Sequence, residues 1–249
     1  MPITEKTSLQ RYERGEIESA EDTLVTEFQV ALELDGRELI RTTCSPGHLH
    51  GWALGYLVSE GHILCTDHIA NIQEADGRLT VTLTDSAPRE PVPVLPVESD
   101  LSASPAWILR IAEDVAARAG IFQATGGTHA MALAVEPGTL TDHEREAFVH
   151  EPGFAGFEED ISRTCALEKA IGFALSEGTD FSRCIAFLSS RAPSRMIAKL
   201  ARCGVPIVAA VSAPTLDAFR LAEKLNVCLC GFVRDERLNV YTHSWRLGL

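Results

Sequence analysis

Thr125-Gly126-Gly127-Thr128-His129-Ala130 sets two glycines between threonines and ends on a histidine. Glycines let the backbone bend sharply and show bare N–H groups to a ligand. The run Met131-Ala132-Leu133-Ala134-Val135 that follows is apolar enough to be a buried strand, so the loop would have a rigid base. Such a loop is either a ligand cradle or a tight turn, and the motif alone leaves both open. Three further groups carry chemistry: Ser189-Ser190-Arg191, Ser212-Ala213-Pro214-Thr215, and Arg234 with Arg237. The first two lead into helix N-termini, which are natural anion sites. Ser212 and Thr215 are also ordinary helix N-caps, and Arg191 can equally pair with a surface carboxylate. Taken together beside a Gly-Gly loop, the set points to a phosphate-bearing ligand.

These groups depend on the elements that hold them. Strands over Cys184–Leu188, Pro206–Val211 and Val227–Phe232 alternate with helices over Pro193–Arg202 and Thr215–Leu225. That alternation predicts βαβαβ crossovers and a parallel sheet, whose ligands bind off the carboxyl ends of the strands. Earlier, Phe28–Leu34 alternates as a half-buried strand, Asp35-Gly36 makes a hairpin, and Leu39–Thr43 returns. Ser45-Pro46 reads as the N-cap and first-turn proline of a helix ending near Gly61. Ile69–Glu74 and Leu79–Thr84 flank a second hairpin turn at Asp76-Gly77, which completes a small α+β unit. Ala87–Ser104, with Pro88, Pro91, Pro93 and Pro96, reads as a linker or extended crossing segment. Ser104-Pro105 should cap a helix closed by Gly120. Thr139–Gly156, with His143 and His150, reads as a surface excursion, and a helix is expected from about Asp160 to Glu177.

Composition narrows the classes. The 249 residues suffice for one large domain or two small ones. The net charge of −13 argues against a nucleic-acid partner, which needs a basic face. No apolar run approaches the roughly 20 residues of a membrane span. Residues 1–23 mix charges and read as a solvated tail or short arm rather than a signal peptide, so a cytoplasmic protein is expected. Seven cysteines at wide spacing suggest reduced thiols. Cys228 and Cys230 share one face of a strand, as small core residues do. The pattern of a zinc deaminase is missing, and so is that of a serine hydrolase elbow. No structural metal is expected, and His129 would orient ligand or backbone.

Further ordered segments are Gly55-Tyr56-Leu57-Val58-Ser59-Glu60-Gly61, Glu159-Asp160-Ile161-Ser162-Arg163, Glu168-Lys169-Ala170-Ile171-Gly172, Lys199, and Gly231-Phe232-Val233-Arg234 before Asn239-Val240-Tyr241. With the groups above, they make the chain from about Phe28 to its end resemble the formate dehydrogenase accessory sulfurtransferase family of the FdhD/NarQ type. The resemblance implies an α/β fold: a cytidine-deaminase-like three-layer α/β/α domain with a mixed sheet over 96–249, and a small α+β subdomain over 24–95. It implies a homodimer that takes sulfur as a persulfide from a cysteine desulfurase. The sulfur passes to the molybdenum or tungsten bis-guanine-dinucleotide cofactor of formate dehydrogenase or a related molybdopterin oxidoreductase. That cofactor would be held through its guanine nucleotide part, for which GDP is a mimic. The family's cofactor segment falls on Phe232, Val233, Arg234, Asp235, Glu236 and Arg237. Thr125, Gly126, Gly127, Thr128, His129, Arg163, Lys169, Ser189, Arg191, Ser212 and Thr215 complete the expected binding set.

The departures fall at functional positions. Where the family carries a C-G-x-C-G type segment with its persulfide cysteine, this chain has Pro96-Val97-Glu98-Ser99-Asp100-Leu101-Ser102-Ala103-Ser104. The family's G-R-H-N-A-x-D-K reads here Ser162-Arg163-Thr164-Cys165-Ala166-Leu167-Glu168-Lys169, and Ser190 replaces the glycine of S-G-R. Persulfide chemistry needs an accessible thiolate of lowered pKa. Cys165, near a helix start, is the remaining candidate, with a small packing residue as the alternative. Three functions follow: a cofactor-binding accessory protein without sulfur transfer, a sulfurtransferase using a displaced thiol such as Cys165, or a non-catalytic regulatory or dimerisation partner of a complete paralogue.

Overall fold

The computed structural model describes residues 1–135 and 153–249. Two long strands open the chain: β1 (Thr4–Glu13) and β2 (Glu16–Val25) pair antiparallel through a turn at Arg14-Gly15. The first residues are therefore an arm built as a hairpin, not an unstructured tail. Both turn residues have positive φ, 52° and 97°, which suits the right-handed strand twist.

The small unit is a four-stranded sheet of order β4-β3-β6-β5, with β3 (Phe28–Leu34), β4 (Arg37–Cys44), β5 (Ile69–Ala75) and β6 (Arg78–Leu83). Asp35-Gly36 and Asp76-Gly77 turn with positive φ at both residues, as the sequence predicts. Helix α1 (Leu49–Glu60) lies between the two hairpins and ends on Gly61 at φ 86°. Its N-cap is His48, with no side-chain hydrogen bond, so Ser45-Pro46 does not cap it. Ser45 is turned inward. Its N–H donates to Asp160 Oδ2, and its hydroxyl accepts from the Ile161 N–H.

The larger sheet has the order β12-β11-β10-β9-β7-β8. Parallel strands β9 (Cys184–Leu188), β10 (Ile207–Ala210) and β11 (Cys228–Arg234) form its centre. β12 (Arg237–Thr242) and β7 (His129–Val135) flank them antiparallel, and β8 (Gly153–Asp160) pairs antiparallel with β7. The surface excursion expected over Thr139–Gly156 lies outside the described residues up to 152; from Gly153 the chain is strand. Alternation along the strands sends residues to two cores. Met131, Ala186, Val208 and Leu229 pack with helices α4 (Arg163–Ser176), α5 (Ser194–Cys203) and α6 (Leu216–Lys224). Ala130, Phe187, Ala209 and Cys230 pack with α2 (Pro105–Arg118) on the other face. Ser104 caps α2 by accepting from the Trp107 N–H, as expected. Gly120 does not close that helix; it opens a short one, α3 (Gly120–Thr125).

Residues 91–104 carry neither helix nor strand and are anchored. The Val97 N–H donates to Leu225 O, Asn226 donates to Val97 O, and the fully buried Arg246 donates to Ser99 O and Leu101 O. The two units meet where α1 crosses α4. A Cβ on Gly55 would lie 1.7 Å from Glu168 O, and one on Gly172 1.8 Å from Gly51 O. Only glycine allows that approach, and both contacts are with backbone. Gly55→Ala should therefore lower stability by about 3 kcal/mol or more, read as a shift of the urea midpoint. An unchanged midpoint would mean that α1 can move aside freely.

Candidate functional site

The carboxyl ends of β9, β10 and β11 and the start of β7 share one edge of the large sheet, because β7 runs against β9. Along this edge, on the α2 face, lie two adjoining hollows of about 480 Å³ each. One is formed by α2, α3, Gly126, Gly127, Thr128, His129, Ala130, Phe187 and Ser189. The other lies between α2 and Val233, Arg234, Asp235 and Glu236, with Arg110 and Glu113 from the helix. Ala112, Ala116 and Val211 line both, so the two form one groove.

The Gly-Gly loop that begins this wall is a helix end. Thr125 is the last residue of α3, and its hydroxyl donates to Ile121 O. Gly126 takes φ 65°, and its N–H donates back to Phe122 O, while the Gly127 N–H donates to Thr125 Oγ1. Both glycine N–H groups are spent within the loop, so the bare-amide cradle does not form there. Glu159 fastens the loop, accepting from the Ile121 and Phe122 N–H groups and from the Thr128 hydroxyl. Ser189 ties β9 to β7: its Oγ accepts from the Ala130 N–H, and its own N–H donates to Ala130 O. His129 is part-buried and lines the groove. Burial lowers its pKa from 6.5, and the Arg163 guanidinium lowers it further; the neutral ring prevails at pH 7.

The rest of the expected set divides. Arg191, Thr215 and Arg237 are exposed and lie outside both hollows. The Thr215 hydroxyl is occupied as the N-cap of α6, accepting from the Ala218 N–H. Ser212 and Phe232 fix the end of β11, the Phe232 N–H donating to Ser212 O at 3.3 Å. Phe232, Asp235 and Glu236 all hold positive φ, 53°, 53° and 59°, so the hairpin tip bearing Arg234 is sharply bent. Arg163 is exposed at the start of α4. Lys169 does not reach the groove. It is 2 % exposed and donates to Asp160 Oδ2 at 2.7 Å and to Ser45 O at 2.8 Å.

The thiols are corrected by burial. Cys165 does lie in the first turn of α4, its N–H donating to the Ser162 side chain. Desolvation outweighs the helix dipole, however, and its pKa is pushed up to about 12. Cys44 rises to about 11, and Cys184 and Cys203 to about 12, all by burial. Cys228 and Cys230 are buried with their sulfurs 4.0 Å apart. Among the described residues there is no cluster of three or more His, Cys, Asp or Glu side chains able to hold a metal.

Sequence reasoning missed a second set of buried charges. Glu168 accepts from Trp52 Nε1 at 2.8 Å and pairs with Lys199 at 2.9 Å, and Lys199 also pairs with Glu60 at 2.7 Å. Glu168 and Lys169 carried a signal: adjacent opposite charges inside an apolar helix pattern must each find a partner.

The family model described as FdhD/NarQ matches residues 25–92 and 81–248. The "Sulfur carrier protein FdhD" of Bacillus subtilis is 32 % identical, over 98 % of each chain. The protein of the same name from Methanothermobacter thermautotrophicus is 29 % identical, over 91 % of this chain and 92 % of its own. A solved structure from Desulfotalea psychrophila, described as a candidate formate dehydrogenase accessory protein, superposes with a TM-score of 0.80 at 20 % identity. It covers 99 % of this chain and 100 % of its own.

His129 should titrate below 6.5 by NMR, and Arg163→Ala should bring it part of the way back. The unfolded chain binds this proton more readily than the folded one, so the residue's share of stability is lost as pH falls through 6.5. A titration at or above 6.5 would contradict the burial of the ring.

Proposed function

The chain belongs to the FdhD/NarQ family, and on that premise we propose that it assists formate dehydrogenase maturation by holding the molybdenum or tungsten bis-guanine-dinucleotide cofactor, without carrying the sulfur itself. The cofactor is cargo here, gripped through its guanine nucleotide part. The observation that carries the binding half is the groove at the carboxyl edge of the parallel strands, where doubly wound sheets take ligands. Its lining supports a nucleotide through apolar walls from α2, polar groups at Ser189 and His129, and Arg234 on the β11–β12 tip, with Glu113, Asp235 and Glu236 beside that arginine. Arg191 stands on the same strand edge.

The other half rests on the thiols. All seven cysteines lie among the described residues. Five are buried, the Cys203 thiol is pushed up to about 12, and Cys65 stands before β5, in a unit that lines neither hollow. A persulfide carrier needs the reverse, an exposed thiol of low pKa. The segment where the family's cysteine pair would fall is a strapped crossing with none, anchored through Val97, Ser99 and Leu101.

The name borne by the relatives favours the other reading, a sulfur carrier acting through a displaced thiol such as Cys165; the burial of that thiol weighs against it. The cytidine-deaminase-like arrangement, a homodimer, a cysteine desulfurase partner and a cytoplasmic setting belong to the same proposal. The deaminase-like reading draws on the mixed six-stranded sheet with helices on both faces.

Calorimetry with GDP should give binding, weakened about tenfold or more by Arg234→Ala through loss of a charge-assisted phosphate contact. No heat at millimolar GDP would leave the regulatory-partner reading in its place. Incubation with a cysteine desulfurase and cysteine should leave the intact mass unchanged, with Cys165 unmodified in the peptide map. A species heavier by one sulfur atom on Cys165 would reinstate the carrier.

A further inference from the structure

We propose that the free edge of β1 binds the free edge of β1 in a second copy of this chain, so that the two arms join in one four-stranded sheet centred on Ser8. This rests on the homodimer reading above and names the surface that makes it. Among the described residues the arm is a sheet of two strands, and no residue of either strand is buried. Two strands alone are marginal in water, and three or more are needed for a sheet to hold. β2 is the strand set against the body: a Cβ on Gly127 would lie 2.8 Å from Val25 Cγ1. Among the described residues no strand pairs with the other edge of β1. At the tip, Tyr12 and Ile17 stand opposite one another with 72 % and 70 % of their surface exposed. Covering that apolar pair is favourable.

The hydrogen-bond phase of the hairpin fixes what the open edge offers. Glu13 and Glu16 flank the two-residue turn and exchange both of their backbone bonds, and bonded pairs alternate from there. The Thr26 N–H, donating to Ile3 O, keeps the same phase. Thr4, Lys6, Ser8, Gln10 and Tyr12 therefore turn their N–H and C=O groups outward. Only registers that pair these residues with one another can form, which puts a two-fold axis on a residue and not between two. With the axis on Ser8, Glu5 of each copy stands opposite Arg11 of the other, and Tyr12 stands opposite Thr4. With the axis on Leu9, Glu5 meets Glu13 twice. With the axis on Thr7, Glu5 meets Leu9 and the charge match is gone. Opposite charges facing across a ladder stabilise it and like charges do not, so Ser8 sets the register. Arg11 is held by Glu18 of its own arm at 3.7 Å, with both side chains half exposed or more, so it is free to meet a second carboxylate. The same register lays Tyr12 and Ile17 towards the base of the other arm, where Thr4 pairs with Val25. The edge of β2 is unsuited to such pairing. It carries Glu16, Glu18, Glu21 and Asp22 with no lysine or arginine, and that charge repels a second copy.

The test uses the full chain. Light scattering after gel filtration should give a dimer. Ser8→Pro removes one outward N–H and leaves the bonds to β2 in place. Symmetry counts that loss twice, so the dimer should weaken about tenfold or more. Arg11→Glu should weaken it likewise, and adding Glu5→Arg to the same chain should restore it, a rescue that damage to the arm's own fold would not show. With Ser8→Cys, oxidised glutathione should join two copies through a disulfide that the wild-type chain does not form. Gln10→Cys should give none, because in this register its Cα lies about 14 Å from its mate, beyond the reach of a disulfide. A dimer that ignores Ser8→Pro, that Glu5→Arg fails to restore, or that gives no cross-link at Ser8→Cys overturns the arm pairing and leaves the homodimer reading standing. A monomer at every concentration overturns both.

Discussion

Helix α4 lies closer to its neighbours than any side chain would permit. On one side Gly55 of α1 and Gly172 of α4 bring the two helices together backbone to backbone. On the other, a Cβ on Gly156 of β8 would stand 2.2 Å from Ala170 O. With no Cβ atoms between them, the helix is clamped between the small unit and the large sheet. The same closeness seals in its charges. Glu168 and Lys169 face opposite partners, Lys199 and Asp160, and all four are at most 2 % exposed. Losing one partner of such a pair typically costs about 3–5 kcal/mol, so each charge commits the others. Asp160 also receives the Ser45 N–H and the Ser162 N–H. One carboxylate thereby sets the end of β8, the start of α4 and the approach to α1. Its pKa is raised because desolvation outweighs even the neighbouring lysine.

That clamp decides where the groove lies. By fixing β8 it fixes Glu159, which holds α3 and the Gly-Gly loop through three hydrogen bonds. The loop then stands beside Ser189 at the carboxyl edge, and α2 closes the groove from outside. Desolvation is the common cause of what can and cannot happen here. It lowers the His129 pKa and raises the Cys165 thiol out of the reactive range.

Where local rules apply, the chain could be read directly. Asp35-Gly36 and Asp76-Gly77 turn as their residues demand, Ser104-Pro105 caps α2, and Cys184–Leu188 is a strand over the expected residues. Two of the misreadings share one feature, a residue with a partner distant in sequence. Ser45 before Pro46 has the look of an N-cap, but its hydroxyl answers Ile161, 116 residues away. Lys169 looked available for an anion and instead closes an internal pair. Arg14-Gly15 gave no Asp-Gly or Asn-Gly signal, and the mostly exposed residues of β1 and β2 gave no alternation, so the first hairpin went unread.

Legible in the chain's own order of residues were the types of most elements from Phe28 onward, the parallel centre of the large sheet, the absence of a cysteine between Pro96 and Ser104, and the family. These follow from short-range periodicity, turn chemistry and ordered motifs, all carried by neighbouring residues. It took the folded chain to seal Cys165 and to give Lys169 and Arg234, both basic in the sequence, opposite fates. Solvent access and the pairing of charges depend on which distant segments close over a residue, and no local pattern encodes that.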